Sequence, residues 1–315
     1  MPIVLTADPA PDHALAAAAA IVSARAGHGV PKVQSFFDEA TFTATHLVSD
    51  PATGKAAIID SVLDFDPASG RTSHTSAQTL VDAVRAQGLS VEWLLETHVH
   101  ADHLSAAPWL QQQLGGRIAI GGAIETVQRT FGSIFNEGAD FARDGSQFDV
   151  LMADGDRFSI GSLDAVALHV PGHTPADMAF IIGDTALVGD TLFMPDYGTA
   201  RADFPGGSAR TLYRSIRRLL ALPPETRLLL CHDYKAPGRD AYFFETTVAA
   251  QRAGNVHVHD GVSEDAFVAM REARDKTLGM PRLILPSIQI NMRAGHFPEP
   301  EANGTRYLKL PLDTL

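Results

Sequence analysis

The sequence predicts an α/β (α+β) fold in which two mixed sheets pack face to face, with helices outside them. Three observations support this prediction. The 315 residues include 45% apolar and 20% charged residues, an ordinary globular balance that can fill a core. Short runs typical of strands alternate with helical periods in two successive halves of the chain. Residues with metal-binding side chains follow several of the predicted strands, where open α/β sheets place their sites.

The first half of the chain is predicted to contain paired strands, a buried strand and helices. Asp50–Gly54 has the residues of a hairpin turn, so the strands on either side of it should pair. Pro67 and Gly70 indicate an exposed loop over Asp64–Thr75. The predicted strands are Thr41–Ser49, Ala56–Asp60 and Val91–Glu96, and the predicted helices are Ser76–Gln87 and Leu104–Leu114.

The second half repeats this mixture of strands and helices. In the first of its helices Leu212, Ile216 and Leu219 share one face and arginines occupy the others, as in an amphipathic surface helix. Pro286 suggests that the last strand lies at a sheet edge, since proline cannot donate to a ladder. The predicted strands are Ala165–Val170, Met178–Ile182, Thr185–Val188, Arg227–Leu230 and Leu283–Ile290, and the predicted helices are Ser208–Leu220 and Ser263–Thr277.

Residues 1–31 are interpreted as an N-terminal extension that need not be rigid, followed by a single domain over residues 32–315. The extension is rich in alanine, proline and glycine and has no clear strand pattern. Its segment Ala14–Val22 predicts a frayed or loosely docked helix in preference to a secretory signal, because acidic residues precede it instead of basic ones. No stretch approaches about eighteen consecutive apolar residues, so no membrane span is expected.

Charge and cysteine content narrow the partners and the compartment. The formal net charge of −12 argues against binding to nucleic acid or to an anionic membrane, since both attract basic surfaces. A small anionic substrate stays open, because well-placed arginines can reverse the local field. Cys231 is the single cysteine, which excludes an intramolecular disulfide and fits a reducing cytoplasm. A cytoplasmic location is therefore expected, with Cys231 as a buried, inert thiol.

The segment Thr97–His103 places three imidazoles and a carboxylate within seven residues, directly after a predicted strand. His98 and His100 can project into one cleft, and Asp102 and His103 follow as the chain turns into a helix. Imidazole nitrogen and carboxylate oxygen suit zinc, iron or manganese. A lone histidine here would most simply be structural, but four ligand-type residues at the end of a strand predict a metal site.

Three further residues, His173, Asp190 and His232, follow the ends of later predicted strands. Taken singly, each has an ordinary alternative, since Asp190 could cap a turn and His232 could be a hydrogen-bonded core histidine. Together they share the strand-end position of the first motif. We therefore expect them to lie at the same site.

The ordered set His-x-His-x-Asp-His, Gly-His-Thr, Gly-Asp and His resembles the metallo-β-lactamase superfamily, over roughly residues 33–315. The resemblance implies an αββα sandwich with the metal at one edge, between the two sheets. It also implies two groups of ligands with Asp190 between them. One group is His98, His100 and His173, and the other is Asp102, His103 and His232.

Three later segments are similar to the persulfide dioxygenase family within that superfamily: Gly198–Phe204, His232-Asp233-Tyr234 and Asn291–Gly295. The first departs from the family at Thr199, Ala200 and Ala202. The resemblance implies a mononuclear non-haem Fe(II), one per chain, with zinc as the alternative metal. Its catalytic ligands would be His98, His173 and Asp190, a triad that leaves open positions for oxygen chemistry. The remaining cluster residues, His100, Asp102, His103 and His232, would surround these ligands or hold a second metal.

The implied reaction oxidises glutathione persulfide, or a related low-molecular-weight persulfide, with O2 to sulfite and glutathione. Arg201 and Arg252 are candidates for binding the two carboxylates of glutathione, with a solvated surface position as the alternative for each. Tyr234 is a third candidate for substrate binding, with packing alone as its alternative. The chain has no rhodanese-type loop headed by cysteine, so any sulfurtransferase partner would be a separate chain. A homodimer is a hypothesis drawn from the fold family.

Two rival functions stay open. A dinuclear zinc hydrolase of glyoxalase II type would use the same ligands and a bridging hydroxide to cleave a hydroxyacylglutathione thioester. Resemblance to that family would imply a separate, mainly helical C-terminal domain, whereas this sequence predicts a helix, a strand and the Asn-Met-Arg segment. A non-catalytic metal-binding or sulfur-sensing module is disfavoured, because a complete ligand set beside a cleft exceeds what a scaffold requires.

Overall fold

The computed structural model describes residues 12–24 and 29–314. The strands within these residues are β1 (Lys32–Asp38), β2 (Thr43–Ser49), β3 (Lys55–Ile59), β4 (Val62–Asp66), β5 (Arg71–Ser73), β6 (Ser90–Leu95), β7 (Leu104–Ser105), β8 (Arg117–Gly121), β9 (Val150–Met152), β10 (Arg157–Ile160), β11 (Leu163–His169), β12 (Met178–Ile182), β13 (Thr185–Leu187), β14 (Arg227–Leu229) and β15 (Glu245–Thr247). The helices are α1 (His13–Ser23), α2 (Thr75–Ala86), α3 (Ala107–Leu114), α4 (Ile124–Ile134), α5 (Ala209–Leu219), α6 (Val248–Gly254), α7 (Glu264–Asp275) and α8 (Ile284–Asn291). None of these helices is long and apolar enough to cross a membrane.

Two six-stranded sheets form the centre of the fold, and a smaller sheet of β5, β4 and β7 lies beside them. The first large sheet has the order β1-β2-β3-β6-β8-β9, and the second runs β10-β11-β12-β13-β14-β15. Trp93 and Leu95 of the first sheet and Phe180 and Ile182 of the second belong to one buried layer. Helices α2, α3, α4 and α8 pack on the outer core of the first sheet, and α1, α5 and α7 on that of the second. The predicted sandwich with outer helices is confirmed.

The directions of the strands bring the candidate ligands to one edge of the sandwich. Strands β13 and β14 are parallel, and β11 is parallel to β13 because β12 runs antiparallel to both of its neighbours. The segments that follow β11, β13 and β14 carry His173, Asp190 and His232. Met178 donates its backbone N–H to the Thr97 carbonyl at 2.8 Å, which ties the histidine-rich loop after β6 to this edge.

Two predicted segments have a different structure. The strand predicted over Leu283–Ile290 is wrong, because Ile284–Asn291 forms helix α8. Ile284 and Ile288 are one helical turn apart and both pack into the core of the first sheet. Pro286 lies in the first turn, where helix N–H groups need no intrahelical partner. The exposed loop predicted over Asp64–Thr75 is also wrong on both sides of its centre. The residues there belong to strands β4 and β5, which pair as a hairpin.

Helix α1 is packed against the second sheet and is not loosely docked. Its buried residues are Ala14, Ala18 and Val22, and they belong to the same apolar cluster as β11 and β12. Asp12 at the start of the helix pairs with Arg218 of α5 at 2.6 Å. Residues 1–11 and 25–28 of the predicted extension lie outside the described residues, so the domain boundary at residue 32 stays a prediction.

The turn before His173 requires glycine for space as well as for conformation. Gly172 has a φ of +143°, and a Cβ there would lie 2.3 Å from Cα of Leu212 in α5. Gly88 also has a positive φ, +64°, but its Cβ would meet nothing within 4 Å. We expect Gly88→Ala to lower the free energy of unfolding by about 1 kcal/mol, the cost of the left-handed backbone. Gly172→Ala should cost about 3 kcal/mol or more, because a helix backbone has to move.

Urea unfolding of the metal-free proteins measures both variants, with Gly88→Ala as the matched control. Equal losses of stability in the two variants would contradict the close approach of the 172 turn to α5.

Candidate metal centre

The histidine-rich loop over residues 97–103 is braced from the far end of the chain. The side-chain amide of Asn291 donates to the carbonyls of His100 and His103, at 2.9 and 2.7 Å. Its oxygen accepts from the Ser105 N–H at 2.8 Å. All three groups are buried, so Asn291 satisfies backbone atoms that would otherwise lack partners. The sequence indicated this residue only as part of a family-like segment and gave no sign of its contacts.

Each of the five histidines in the cluster has one ring nitrogen committed to a hydrogen bond inside the protein. Most of the acceptors are backbone carbonyls or carboxylates, which have no hydrogen to donate. The remaining acceptor is the Thr97 hydroxyl, whose own hydrogen is donated to Asp60. In every one of these bonds the hydrogen is therefore on the histidine nitrogen. The bonds are His98 Nδ1 to Thr97 Oγ1 (3.0 Å), His100 Nε2 to Asp60 Oδ1 (3.0 Å), His103 Nδ1 to Asp102 Oδ2 (3.0 Å), His173 Nδ1 to Arg201 O (2.8 Å) and His232 Nδ1 to Phe42 O (2.9 Å). In each neutral ring the other nitrogen therefore presents a lone pair.

Asp190 lies between these lone pairs. Its Oδ2 is 3.8 Å from His98 Nε2 and 3.5 Å from His173 Nε2. Its Oδ1 is 3.2 Å from His232 Nε2. The buried ligand-type atoms with no hydrogen-bond partner include His98 Nε2, His100 Nδ1, His103 Nε2, His232 Nε2 and Asp190 Oδ1. Buried lone pairs that face one another and a carboxylate destabilise the folded protein unless a cation lies between them. This set of donor atoms therefore fits a metal ion.

The metal-binding atoms form two neighbouring groups. The ligand atoms of His98, His173 and Asp190 lie within 4.8 Å of one another, as do those of His100, Asp102 and His103. Asp190 also groups with His232 and the Cys231 sulfur. The structure thus brings together every metal-site residue that the sequence singled out. The nitrogen and oxygen donors suit zinc or iron, either as one cation in the first group or as one in each.

Protonation of the rings is controlled by burial and by neighbouring charges. Burial, followed by the effect of the His100 ring, lowers the pKa of His98 well below its usual value, so this ring stays neutral. Burial would also lower the pKa of His100, but Asp60 and Glu96 outweigh it and raise that pKa well above its usual value. A cation that binds at His100 Nδ1 therefore competes with a proton for that nitrogen.

A cavity of about 410 Å³ opens onto the cluster and is lined by Asp102, His173 and Asp190. Tyr234 and Arg201 also line it, as the substrate-binding hypothesis requires. The Arg201 guanidinium is already engaged, however, since it pairs with Asp203 at 2.6 Å and donates to the Gly279 carbonyl at 2.7 Å. Arg201 therefore shapes the wall, and its carbonyl holds His173 in place.

The structure does not bring Arg252 to the cavity, which corrects its assignment as a substrate-binding residue. Arg252 lies on α6, is 43% exposed at its side chain, and pairs with Asp260 at 2.9 Å. Instead, Arg274, Arg282 and His257 line the cavity. These three lie on and around α7, which the sequence indicated only as a helix over Ser263–Thr277. No local pattern shows which of its polar residues face the site.

Cys231 is buried beside the cluster. Burial, together with the charge of Asp60, raises the pKa of its thiol well above the usual value. A thiol that is protonated and enclosed is a poor nucleophile. This environment agrees with the expectation of an inert thiol.

The chain matches a known protein family and several named relatives. The family model described as Metallo-beta-lactamase superfamily matches residues 40–232 of this chain. A Burkholderia pseudomallei protein named "probable metallo-hydrolase" is 58% identical, over 90% of this chain and 99% of its own length. Dictyostelium discoideum glyoxylase B2 is 46% identical, over 90% of this chain and 98% of its own length.

Two proteins named ETHE1 are less similar in sequence. The human mitochondrial persulfide dioxygenase ETHE1 is 27% identical, over 87% of this chain and 93% of its own length. The crystal structure of ETHE1 from Myxococcus xanthus is 29% identical and superposes with a TM-score of 0.66, covering 84% of this chain and all (100%) of that one.

Removal of the Asn291 brace should loosen the metal centre selectively. Asn291→Ala leaves two carbonyls of the ligand loop without donors, and we expect a metal affinity that is about 10- to 100-fold lower. Gln289→Ala is the matched control, because Gln289 is equally buried on the same helix but bonds Leu285 and Lys309, away from the loop. Competition with a chromophoric chelator measures the affinity. The same loss of affinity in both variants would mean that Asn291 acts through general stability.

Proposed function

We propose that this chain, which belongs to the metallo-β-lactamase superfamily, is a metal-dependent enzyme that oxidises a low-molecular-weight persulfide such as glutathione persulfide. The balanced reaction converts the persulfide, O2 and water into glutathione, sulfite and two protons. The outer sulfur is oxidised, O2 is reduced, and the bond between the two sulfur atoms breaks. Both the superfamily and the buried donor set support metal-dependent catalysis.

The observation that carries the dioxygenase proposal is the position of the three segments that resemble persulfide dioxygenases. Arg201 of the first segment holds the His173 ring through its carbonyl. Tyr234 of the second lines the cavity, and Asn291 of the third braces the ligand loop. The family-like residues outside the shared ligand set therefore surround the centre. The likeness to the Myxococcus ETHE1 structure, which this chain covers in full (100%), supports the same reading.

Iron held by His98, His173 and Asp190 would supply the redox chemistry that joins O2 to sulfur. The surrounding groups would orient the substrate and exclude water. Phe193, Tyr197 and Phe204 place aromatic rings along the cavity. Burial, followed by the charges of Asp102 and Asp190, raises the pKa of Tyr234 well above its usual value. The Tyr234 hydroxyl thus stays protonated and can donate a hydrogen bond to bound substrate.

Hydrolysis of a glutathione thioester at two metal ions is the second candidate. It is favoured by the second donor group of His100, Asp102 and His103. The buried nitrogens His100 Nδ1 and His103 Nε2 of this group lack hydrogen-bond partners, as does Nε2 of the neighbouring His232. It is also favoured by names, since the relatives at 58% and 46% identity are called a metallo-hydrolase and a glyoxylase. The C-terminal helices weaken the sequence argument against it, because α8 replaces the predicted strand. They nevertheless pack on the same two sheets, and the described residues contain no separate helical domain.

The deciding experiment combines metal content with both reactions. Protein purified anaerobically should contain about one iron per chain, and it should consume O2 and form sulfite when glutathione persulfide is added. S-Lactoylglutathione should be hydrolysed slowly or not at all. Two zinc ions per chain, with rapid thioester cleavage and no O2 uptake after reconstitution with Fe(II), would replace the dioxygenase with the hydrolase.

A matched pair of variants tests how many metals the reaction needs. His173→Ala removes a ligand of the first group, and we expect loss of both the iron and the activity. His103→Ala removes only a ligand of the second group, so iron should be retained at one per chain, with at most about tenfold loss of activity. Elemental analysis and O2 uptake measure both variants. Loss of half of a two-metal content in His103→Ala would indicate that both groups bind metal.

A further inference from the structure

The cavity beside the metal cluster contains two arginines whose charge is neutralised and two whose charge is not. Arg201 pairs with Asp203, and Arg271 pairs with Asp275, each at 2.6 Å. Arg274 and Arg282 line the same cavity and are exposed. Neither forms an ion pair within 4.0 Å with any residue that the structure describes. Their two positive charges are therefore available to a ligand.

We propose that Arg274 and Arg282 form an anion-binding wall of the cavity. This wall selects thiol-derived substrates, such as glutathione derivatives, whose thiol compound has free carboxylates. This inference rests on the proposed function in one respect, namely that the substrate is a glutathione derivative, which both candidate reactions share. A guanidinium presents a planar pair of donors that matches a carboxylate bidentately. Glutathione has two carboxylates, one at each end, with its sulfur between them.

The charges of the cavity direct the substrate in one orientation. Arg274 and Arg282 attract free carboxylates to their part of the cavity, whereas Asp102 and Asp190 belong to the metal-binding part. The sulfur end is left to face the metal cluster. A volume of about 410 Å³ is within the ordinary range for a pocket that holds a small molecule.

His257 adds a fixed hydrogen-bond donor to the same wall. Its Nδ1 accepts from the Thr199 N–H at 3.1 Å, so the neutral ring carries its hydrogen on Nε2. Gly198 permits this packing, because a Cβ there would lie 2.2 Å from His257 Nδ1. Burial, followed by the charges of Arg271 and Arg274, lowers the pKa of His257 to about 4. The ring is thus neutral near pH 7 and supplies a donor without a further charge.

The two arginines are not equivalent. Arg282 also borders a neighbouring groove that contains Asp64 and Asp66. The pKa of Asp66 is lowered mainly by the hydrogen bond from the Ser69 hydroxyl, and the charge of Arg282 adds a smaller effect in the same direction. These acidic groups offset part of its attraction for an anion. Arg274 lines the metal-side cavity and does not line that groove. The larger effect on binding should therefore come from Arg274.

Calorimetric titration of the metal-loaded protein with glutathione tests the wall without turnover. We expect Arg274→Gln to weaken binding about three- to tenfold and Arg282→Gln somewhat less, as for partly exposed ion pairs. Binding of glutathione diethyl ester, which lacks both carboxylates, should be weak in the wild type and unchanged by either substitution. Arg129→Gln is the matched control, because Arg129 is an exposed arginine paired with Glu125 outside the cavity.

Two results would overturn the wall: no glutathione binding to the wild-type protein, or equal affinity in the wild type and in the double variant of Arg274 and Arg282. Glutathione binding that depends on Arg274, found in a protein that neither consumes O2 with the persulfide nor cleaves the thioester, would support the wall and reject both candidate reactions.

Discussion

The structure depends on the enclosure of imidazole lone pairs and carboxylates at one edge of a sandwich. Each histidine in the cluster has its other nitrogen bound within the protein. The partner is the adjacent residue for His98 and His103, and it is a distant group for the others, such as the Phe42 carbonyl for His232 and the Arg201 carbonyl for His173. The fold thereby fixes the tautomers before any metal arrives, so that binding requires little reorganisation. The cost is a set of mutually repelling buried groups, which a cation relieves. Metal binding and the close approach of the two sheets are consequently linked.

The contacts that hold this edge together cross between the two halves of the fold. Ala44 of β2 donates its N–H to the Cys231 carbonyl at 2.7 Å, and Met178 of β12 donates to Thr97. The His46 ring, on the first sheet, bonds the Leu230 carbonyl of the second at 3.0 Å. The two halves therefore position the ligands jointly. This explains why ligands scattered from residue 98 to residue 232 still form one compact cluster.

The sequence predicts the sandwich and the metal cluster well for a physical reason. Strand runs and ligand spacing are local patterns, and parallel strands end at a common edge. Prediction fails where long-range packing decides the outcome. Leu283–Ile290 has an apolar pattern that suits a strand or a buried helix, and its packing into the first core selects the helix. Arg252 and Arg274 both lie on surface helices, and only the tertiary fold shows that Arg274 faces the cavity whereas Arg252 does not.

The ligand cluster sets the kind of chemistry available, but it cannot by itself choose between oxidation and hydrolysis, because both candidates use the same residue types. Which of the two reactions occurs depends on how many cations the site retains and on which substrate the cavity binds beside them. Here the charge distribution matters more than the total charge. The chain is strongly acidic overall, with a formal net charge of −12, and would repel an anionic thiol at long range. Pairing Arg201 and Arg271 internally leaves Arg274 and Arg282 as local positive charges inside a cleft, where low-dielectric walls concentrate their field. A strongly negative net charge is therefore compatible with attraction of an anionic substrate to this cavity.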